Sequence, residues 1–364
     1  MVEARDEFFM RKALQLAERG RGQTSPNPMV GAVIIDGEGV LVGRGSHEFA
    51  GGPHAEVLAL ASAGQATRGA TLYCTLEPCS HVGRTGPCAP LVADAGIARV
   101  VVATEDPNPL VAGRGLRCLR DRGIEVVSGV LATEAERLNR PFFKVMRAHR
   151  PFVTMKVALS ADRKVAGRPG ERTALTSGPA NRHVHRERAE TDAIAIGSGT
   201  MLADDPVLTA RGVYRSRPLV RVIFDRRLRT PPAARVFTTL DAGPVIIVGS
   251  SAAEARNPAA AQALRNAGGT VVFSPDGGLR AALESLALRG ITALIVEGGP
   301  ALHHAFWDAG LVDRVQIYGT PVVLGERGLP WLPLDVSSSP MVTELTSVAL
   351  GADRLMEAYV HRTD

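Results

Sequence analysis

The sequence has no apolar run close to the roughly 20 residues that a helix needs to cross a bilayer. Its first seven residues include three acidic side chains and one arginine, unlike the basic start of a signal peptide. The chain also has only 4 cysteines, which fits a reducing compartment better than a disulfide framework. We therefore expect a cytoplasmic protein with no membrane partner.

Aromatic residues are also scarce, at 4% of the chain, and the net charge of +5 is mild for 364 residues. No polybasic run is present, so a nucleic-acid partner is not indicated. Hydrophobic residues make up 45% of the sequence, which is enough for real cores. The length predicts two or three domains.

The pattern of apolar residues predicts an α/β protein, because short β-prone runs alternate with helical segments. Single long helices are expected over Thr133–Ala148 and Ala252–Ala267, and a loop over Met201–Pro206. Pro151 disfavours helix at Arg150, and a new strand follows at once. The predicted domains are residues 1–149 and 150–364.

The chain does contain a compact group of metal-binding and acidic residues, His54-Ala55-Glu56, Pro78-Cys79 and Cys88. One imidazole and two thiolates suit zinc, and three protein ligands leave a fourth position open for water, as in catalytic zinc sites. The metal lets that water lose a proton near neutral pH. Glu56 would take the proton and pass it to a leaving nitrogen, as zinc deaminases require.

Other interpretations of these residues remain open. Taken singly, a cysteine is often a small buried hydrophobe, and a histidine is often a core or surface residue. A structural zinc site would need a fourth ligand. A nucleic-acid base deaminase would share the metal chemistry but needs a basic, aromatic groove. Residues 80–87 separate the two cysteines, a longer spacing than in the usual signature H-x-E…P-C-x-x-C.

The sequence resembles the bifunctional deaminase/reductase family of riboflavin biosynthesis. The resemblance lies in Thr24-Ser25-Pro26-Asn27-Pro28, in Cys79-Ser80-His81-Val82-Gly83-Arg84-Thr85-Gly86-Pro87-Cys88 and in Asp106-Pro107-Asn108-Pro109. It implies a cytidine-deaminase-like three-layer N-terminal domain and a dihydrofolate-reductase-like α/β C-terminal domain that uses NADPH. The implied substrate is a small molecule, a diamino-pyrimidinone with a phosphoribosylamino group, which is deaminated and then reduced to a ribityl compound. We also expect a homo-oligomer.

For the first domain, the resemblance extends the site beyond the metal. The Asn27 amide could hold the pyrimidine ring because it donates and accepts at once, although a turn residue between two prolines is an equal alternative. Further substrate contacts are expected from His47, His81, Arg84, Asp106 and Asn108.

The second domain lacks the dinucleotide fingerprint G-x-G-x-x-G. Its segment Leu294–Pro300 is predicted to be a strand, a glycine pair and a helix start. The backbone amides of such a helix start suit a pyrophosphate, but a tight strand-to-helix turn with no ligand is the alternative. By resemblance, the substrate contacts are Arg188, Leu208, Arg211 and Glu297, with phosphate at the two arginines. The implied cofactor contacts are Leu159, Ala174, Thr200, Asp204, Gly299 and Pro300.

Three residues of the second domain depart from the family pattern. Arg163 stands where glycine is frequent, Arg172 where serine is common and Ala174 where the family often has tryptophan. We expect Arg163 to remove access to positive φ, and the missing tryptophan to open part of the cofactor site. The alternative is therefore an active deaminase with an altered or inactive reductase.

Overall fold

The computed structural model describes residues 4–80, 86–109, 111–170, 173–274, 278–332 and 338–360. The chain forms two compact units, Met1–Ala148 and His149–Asp364. Across the described ranges, no helix combines the length and the apolar character needed to pass through a membrane.

The first unit has one five-stranded sheet in the order β2-β1-β3-β4-β5. Its strands are β1 (Gly31–Ile35), β2 (Leu41–Ser46), β3 (Thr71–Cys74), β4 (Arg99–Val102) and β5 (Glu125–Ser128). Its helices are α1 (Ala4–Ala17), α2 (Ala55–Ala63), α3 (Cys88–Asp94), α4 (Arg114–Asp121), α5 (Ala132–Leu138) and α6 (Arg140–Ala148). Strand β1 is antiparallel to β2 and β3, whereas β3, β4 and β5 are parallel.

Helices cover both faces of this sheet, which gives the expected three layers. On one face, α2, α3 and α4 contribute Ala59, Val92 and Leu116 to a core with the strands. On the other, α1 and α5 contribute Met10 and Ala135 to a second core. The parallel strands β3 and β4 end at the same edge, so the segments that follow them lie together there.

The second unit is built on a nine-stranded sheet in the order β11-β10-β9-β8-β12-β6-β13-β16-β15, with a separate pair β14-β7. Its strands are β6 (Phe152–Leu159), β7 (Lys164–Ala166), β8 (Ala193–Gly197), β9 (Val220–Phe224), β10 (Val245–Ser250), β11 (Gly269–Ser274), β12 (Ala293–Val296), β13 (Arg314–Gly319), β14 (Leu329–Pro330), β15 (Val342–Leu350) and β16 (Asp353–Val360). Its helices are α7 (Gly178–Glu190), α8 (Ser198–Asp204), α9 (Ser251–Arg256), α10 (Pro258–Asn266), α11 (Leu279–Ala287) and α12 (Pro300–Asp308).

All neighbours from β11 to β13 are parallel, whereas β16 is antiparallel to both of its neighbours, β13 and β15. The central strands are continuous apolar runs such as Ala193–Gly197, because helices bury both faces of a parallel sheet. The carboxyl ends of β8, β12 and β6 lie side by side, where open α/β sheets bind ligands.

Three of the predicted elements are wrong in detail. The helix over Thr133–Ala148 is divided at Asn139, which has φ −108° and ψ 20°. The helix over Ala252–Ala267 is divided at Asn257, and Pro258 begins the second part. The predicted loop over Met201–Pro206 is helical up to Asp204, where α8 ends at the left-handed Asp205.

Candidate active sites

The three predicted metal ligands lie together in the first unit. One ligand atom from each of His54, Cys79 and Cys88 lies within 4.8 Å of the other two. The Nδ1 of His54 is 3.2 Å from the Sγ of Cys88 and 3.6 Å from the Sγ of Cys79. One imidazole nitrogen and two thiolate sulfurs fit zinc, and a set of three leaves one coordination position for water.

Two helix starts and one strand end bring these ligands together. His54 has extended backbone angles immediately before α2, and Cys88 is the first residue of α3. Cys79 follows β3, and its sulfur accepts the backbone N–H of Cys88 at 3.4 Å. The hydrogen bond between the two thiols lowers the pKa of Cys79 and raises that of Cys88. The pair therefore loses one proton easily, and the resulting thiolate favours cation binding.

Glu56 lies in the first turn of α2, close to the metal-ligand cluster, and only 4% of its surface is exposed. Burial raises the pKa of its carboxyl group, and the nearby His54 partly offsets that rise. A carboxyl with a raised pKa can hold a proton and then release it, which is the property that a proton relay needs.

A cavity of about 380 Å³ opens beside the metal-ligand cluster. It brings together four of the predicted substrate contacts with two of the metal ligands and Glu56. These lining residues are Asn27, His47, Asp106, Asn108, His54, Cys79 and Glu56. The predicted contacts His81 and Arg84 lie outside the described residues.

Asn27 and His47 form a hydrogen-bonded pair in the cavity wall. The Nδ1 of His47 lies 3.0 Å from the carbonyl oxygen of Pro53, so Nδ1 carries the proton and donates it there. Its Nε2 then accepts from the Asn27 amide nitrogen at 3.2 Å. Burial lowers the pKa of His47, which keeps Nε2 an acceptor at neutral pH. This pair fixes the direction of the Asn27 amide.

The sequence did not point to several other residues of this wall. Phe142 and Val111 contribute apolar surface, and Glu77 contributes a carboxylate two residues before Cys79. Phe142 lies on α6, far along the chain, and no local pattern distinguishes it from a core aromatic. The only available signal for Glu77 was its position beside a metal ligand.

In the second unit, a cavity of about 760 Å³ lies at the carboxyl ends of β6, β8 and β12. The predicted substrate and cofactor contacts that line it are Ala174, Arg188, Thr200, Asp204, Leu208, Arg211, Glu297, Gly299 and Pro300. Leu159 is not among its lining residues, because its side chain packs in the core of the sheet. Lys156 and His185 line the cavity as well, although neither was predicted as a contact.

A buried ion cluster forms one wall of this cavity. The Nε and Nη2 of Arg188 donate to the two carboxylate oxygens of Glu297 at 2.7 and 2.8 Å, and the Nζ of Lys156 lies 3.5 Å from the same carboxylate. Burial raises the pKa of Glu297, but the two cations outweigh it and hold that pKa below its usual range. The cluster therefore presents a net positive charge to a ligand.

Arg188 and Arg211, the two predicted phosphate contacts, also have protein partners. The Nη1 of Arg188 donates to the Thr209 carbonyl oxygen at 3.0 Å, and two of its five N–H groups remain for a ligand. The backbone N–H of Arg211 donates to the Nδ1 of His185 at 3.1 Å. Burial lowers the pKa of His185, and both arginines lower it further.

Of the three departures from the family pattern, Arg163 and Ala174 lie within the described residues. The prediction that Arg163 excludes positive φ is wrong, because Arg163 adopts φ 61° in the turn between β6 and β7. Leu208, a predicted substrate contact, also has a positive φ of 56°, an unusual conformation that is frequent at functional sites. Ala174 lines the larger cavity, so its small side chain leaves room there. Arg172 lies outside the described residues.

Comparisons with known proteins match one family model to each of the two units. The family model for the "cytidine and deoxycytidylate deaminase zinc-binding region" matches residues 3–104, and that for the "RibD C-terminal domain" matches residues 151–355. The chain is 42% identical to the riboflavin biosynthesis protein RibD of Aquifex aeolicus, over 90% of each protein.

Two solved structures are similar over nearly the whole chain. RibD of Acinetobacter baumannii has a TM-score of 0.88 at 35% identity, with 98% of this chain and 99% of that chain covered. A Thermotoga maritima protein, described as a diaminohydroxyphosphoribosylaminopyrimidine deaminase/5-amino-6-(5-phosphoribosylamino)uracil reductase, has a TM-score of 0.84 at 35% identity, with the same shares covered. From identity at this level over nine-tenths of its length, together with both domain matches, the chain belongs to the RibD family of bifunctional deaminase/reductases of riboflavin biosynthesis.

Proposed function

We propose that this chain deaminates 2,5-diamino-6-(5-phosphoribosylamino)pyrimidin-4(3H)-one and then reduces the ribose of the product to a ribityl group with NADPH. Residues 1–149 form the deaminase domain and residues 150–364 the reductase domain. The observation that carries this proposal is the meeting of His54, Cys79, Cys88 and Glu56 beside one cavity. The activity of the Thermotoga maritima relative supplies the substrate.

In the first step, His54, Cys79 and Cys88 would hold a zinc ion, which would supply the Lewis acidity that activates water. Glu56 takes a proton from the attacking water and gives it to the ring amine, so that a C–O bond forms at the ring carbon as the C–N bond breaks and ammonia leaves. Asn27, held by His47, orients the pyrimidine ring. Asp106 and Asn108, which also line the cavity, contact the substrate.

In the second step, NADPH supplies the hydride that reduces C1 of the opened ribose. Thr200, Asp204 and the Gly299–Pro300 helix start contact the cofactor at the carboxyl ends of β8 and β12. The N–H of Gly299 donates to the Oγ1 of Thr200 at 3.0 Å, which ties these two segments together. The net positive cluster of Lys156, Arg188 and Glu297 binds the anionic sugar phosphate side chain.

The test is to incubate the zinc-loaded protein with the phosphoribosyl diaminopyrimidinone, with and without NADPH, and to identify the products by mass spectrometry. Glu56→Gln should retain zinc and lose about 10²–10⁴-fold in the rate of deamination. Given the deaminated compound instead, the same variant should consume NADPH at the wild-type rate. Glu48→Gln, an exposed carboxyl in the preceding loop, is the matched control and should behave as wild type. Normal ammonia release by zinc-loaded Glu56→Gln would contradict the proposal.

We also propose a cytoplasmic homo-oligomer. All 4 cysteines are free, as a reducing compartment would keep them. Strand β15 is the edge of the large sheet, and its Leu345 and Val348 are each more than half exposed, which supports self-association. Sedimentation velocity at micromolar protein tests this, and a monomer would contradict it.

A further inference from the structure

Among the described residues that line the deaminase cavity, Glu77 is the acidic residue that takes no part in the proposed deamination. It lies between β3 and Cys79, and only 3% of its surface is exposed. Each of its carboxylate oxygens accepts two backbone N–H groups. Oε2 accepts from Asp106 at 3.2 Å and from Gly113 at 2.9 Å, and Oε1 from Gly115 at 2.8 Å and Leu116 at 3.2 Å.

Two of these donors lie in one loop. Asp106 lies near the middle and Gly113 at the end of the connection from β4 to α4, which carries the cavity residues Asp106 and Asn108. Within the loop, the Asp106 carboxylate accepts the N–H of Asn108 at 2.8 Å, so the two side chains are set by one local turn. The buried Glu77 carboxylate therefore ties together two points of the loop that carries both predicted substrate contacts.

The other two donors belong to the first turn of α4, where backbone N–H groups have no partner within the helix. A negative charge is also favourable at this end of a helix. The start of α4 is in close backbone contact with Pro78, the residue before the metal ligand Cys79. A Cβ placed on Gly115 would lie 1.9 Å from the Pro78 carbonyl oxygen. Glu77 thus joins the loop, the helix and the segment that carries Cys79.

A carboxylate offers about four lone-pair positions, and the four backbone donors fill them. Glu77 consequently has no acceptor to spare for a ligand, although it lines the cavity. We propose that Glu77 is a positioning residue for deamination, which fixes Asp106 and Asn108 at the distance from the metal that the pyrimidine requires. This rests on the proposed deaminase function of the same cavity.

Glu77→Gln keeps the size of the side chain but replaces one accepting oxygen by an amide NH₂ that cannot accept. Two of the four backbone N–H groups then lose their partner, and the loop shifts. We expect zinc content to stay at the wild-type level, the KM of the pyrimidine substrate to rise about tenfold or more, and kcat to change much less, because losing a contact made equally to substrate and transition state raises KM and leaves kcat nearly unchanged. Glu105→Gln, an exposed neighbour in the same loop, is the matched control and should match wild type.

A double-mutant cycle tests whether Glu77 acts through Asp106. If it does, Glu77→Gln raises KM much less in an Asp106→Ala background than in the wild type, whereas additive effects would overturn the proposal. Loss of zinc in proportion to loss of activity would overturn it too, since Glu77 would then only support the metal site. If Glu77→Gln does not fold, Glu77→Asp is the second variant. It keeps the negative charge but moves the carboxylate away from its four donors by the length of one methylene group. An unchanged KM in Glu77→Asp counts against the proposal.

Amide hydrogen exchange separates this proposal from the function on which it rests. Exchange at Asp106, Gly113 and Gly115 should be faster in Glu77→Gln than in wild type, whether or not any substrate is present. Failure of the wild-type protein to deaminate would count against the proposed function. Unaltered exchange in the variant would count against Glu77 as the group that closes the loop.

Discussion

Arg163 holds a left-handed backbone conformation, with φ 61°, in the turn from Ser160 to Lys164. This conformation is unfavourable by about 1–2 kcal/mol for a residue with a Cβ, and glycine adopts it freely. We therefore predict that Arg163→Gly raises the free energy of unfolding of the second domain by about 1 kcal/mol, as measured by urea titration.

Arg227→Gly serves as the control for Arg163→Gly, because Arg227 is an exposed arginine in another turn with an ordinary φ. It should bring no gain in stability. A loss of stability in Arg163→Gly would mean that contacts of the Arg163 side chain outweigh the backbone strain.

His303 makes the second domain sensitive to acid. It is fully buried, accepts the indole N–H of Trp331 at Nδ1 over 2.9 Å, and donates from Nε2 to the Val296 carbonyl oxygen at 3.2 Å. Burial lowers its pKa from 6.5 to about 4. The unfolded chain binds this proton more readily, so the stability contributed by neutral His303 is present above pH 6.5 and is lost as the pH falls towards 4.

The expected loss is about 3 kcal/mol at pH 4 relative to pH 7, at 1.36 kcal/mol for each unit of pKa. The difference in unfolding free energy between wild type and His303→Gln should therefore shrink by about 3 kcal/mol as the pH is lowered from 7 to 4. His304→Gln, at the exposed neighbouring position, is the control and should run parallel to wild type. A constant gap between wild type and His303→Gln would show that His303 does not titrate there.

At the scale of elements, α2 lies unusually close to β2. A Cβ on Gly45 would lie 2.1 Å from the Ala55 carbonyl oxygen, and one on Gly43 would lie 2.4 Å from that of Ala59. The glycines of β2 and the alanines of α2 therefore set how closely α2 packs on the sheet. This helix carries Glu56, and His54 immediately precedes it.

Gly45→Ala should push α2 outwards, lower the stability of the first domain by about 1–3 kcal/mol and weaken zinc binding in a chelator competition. Gly37→Ala is the matched control, because nothing lies within 4 Å of its added methyl group. Unchanged zinc affinity in Gly45→Ala would show that the ligands tolerate displacement of the helix.

The sequence predicted elements well where local chemistry decides them and less well where distant contacts do. Helix and strand alternation identified both α/β units, because apolar periodicity is local. The break at Asn139 was missed since its cause is remote. The Asn139 amide exchanges two hydrogen bonds with the Met29 backbone, at 2.7 and 2.9 Å. The break at Asn257-Pro258 was missed as well, although its cause is local: Asn257 caps the next helix through the Ala260 N–H, and proline favours a first helical position.

The same distinction applies to the sites. His54, Glu56, Cys79 and Cys88 were readable because zinc chemistry requires those residue types at short spacing. The cavity contacts of Phe142 and His185 were not, because only the fold brings these side chains to a ligand. Family resemblance supplied Arg188 and Glu297, but it could not show that they neutralise each other.

For the whole molecule, two compact units with separate cavities should respond separately to their ligands. We predict two transitions in scanning calorimetry. NADPH at 100 times its Kd should stabilise the second domain by about 2.7 kcal/mol and leave the first unchanged. A zinc chelator should lower the transition temperature of the first domain only, and added zinc should restore it. A single transition that moves with either ligand would show that the domains unfold as one.

The strand order of the second unit also bears on how the protein is made. Strand β6 pairs with β12 and β13, which emerge from the ribosome long after it. The first unit instead draws its metal ligands from residues 54–88, and the last strand of its sheet ends at Ser128. Domains fold as units during synthesis, and pairing between distant strands is slow. In a nascent chain, the deaminase domain should therefore fold before β12 and β13 of the reductase domain have been synthesised.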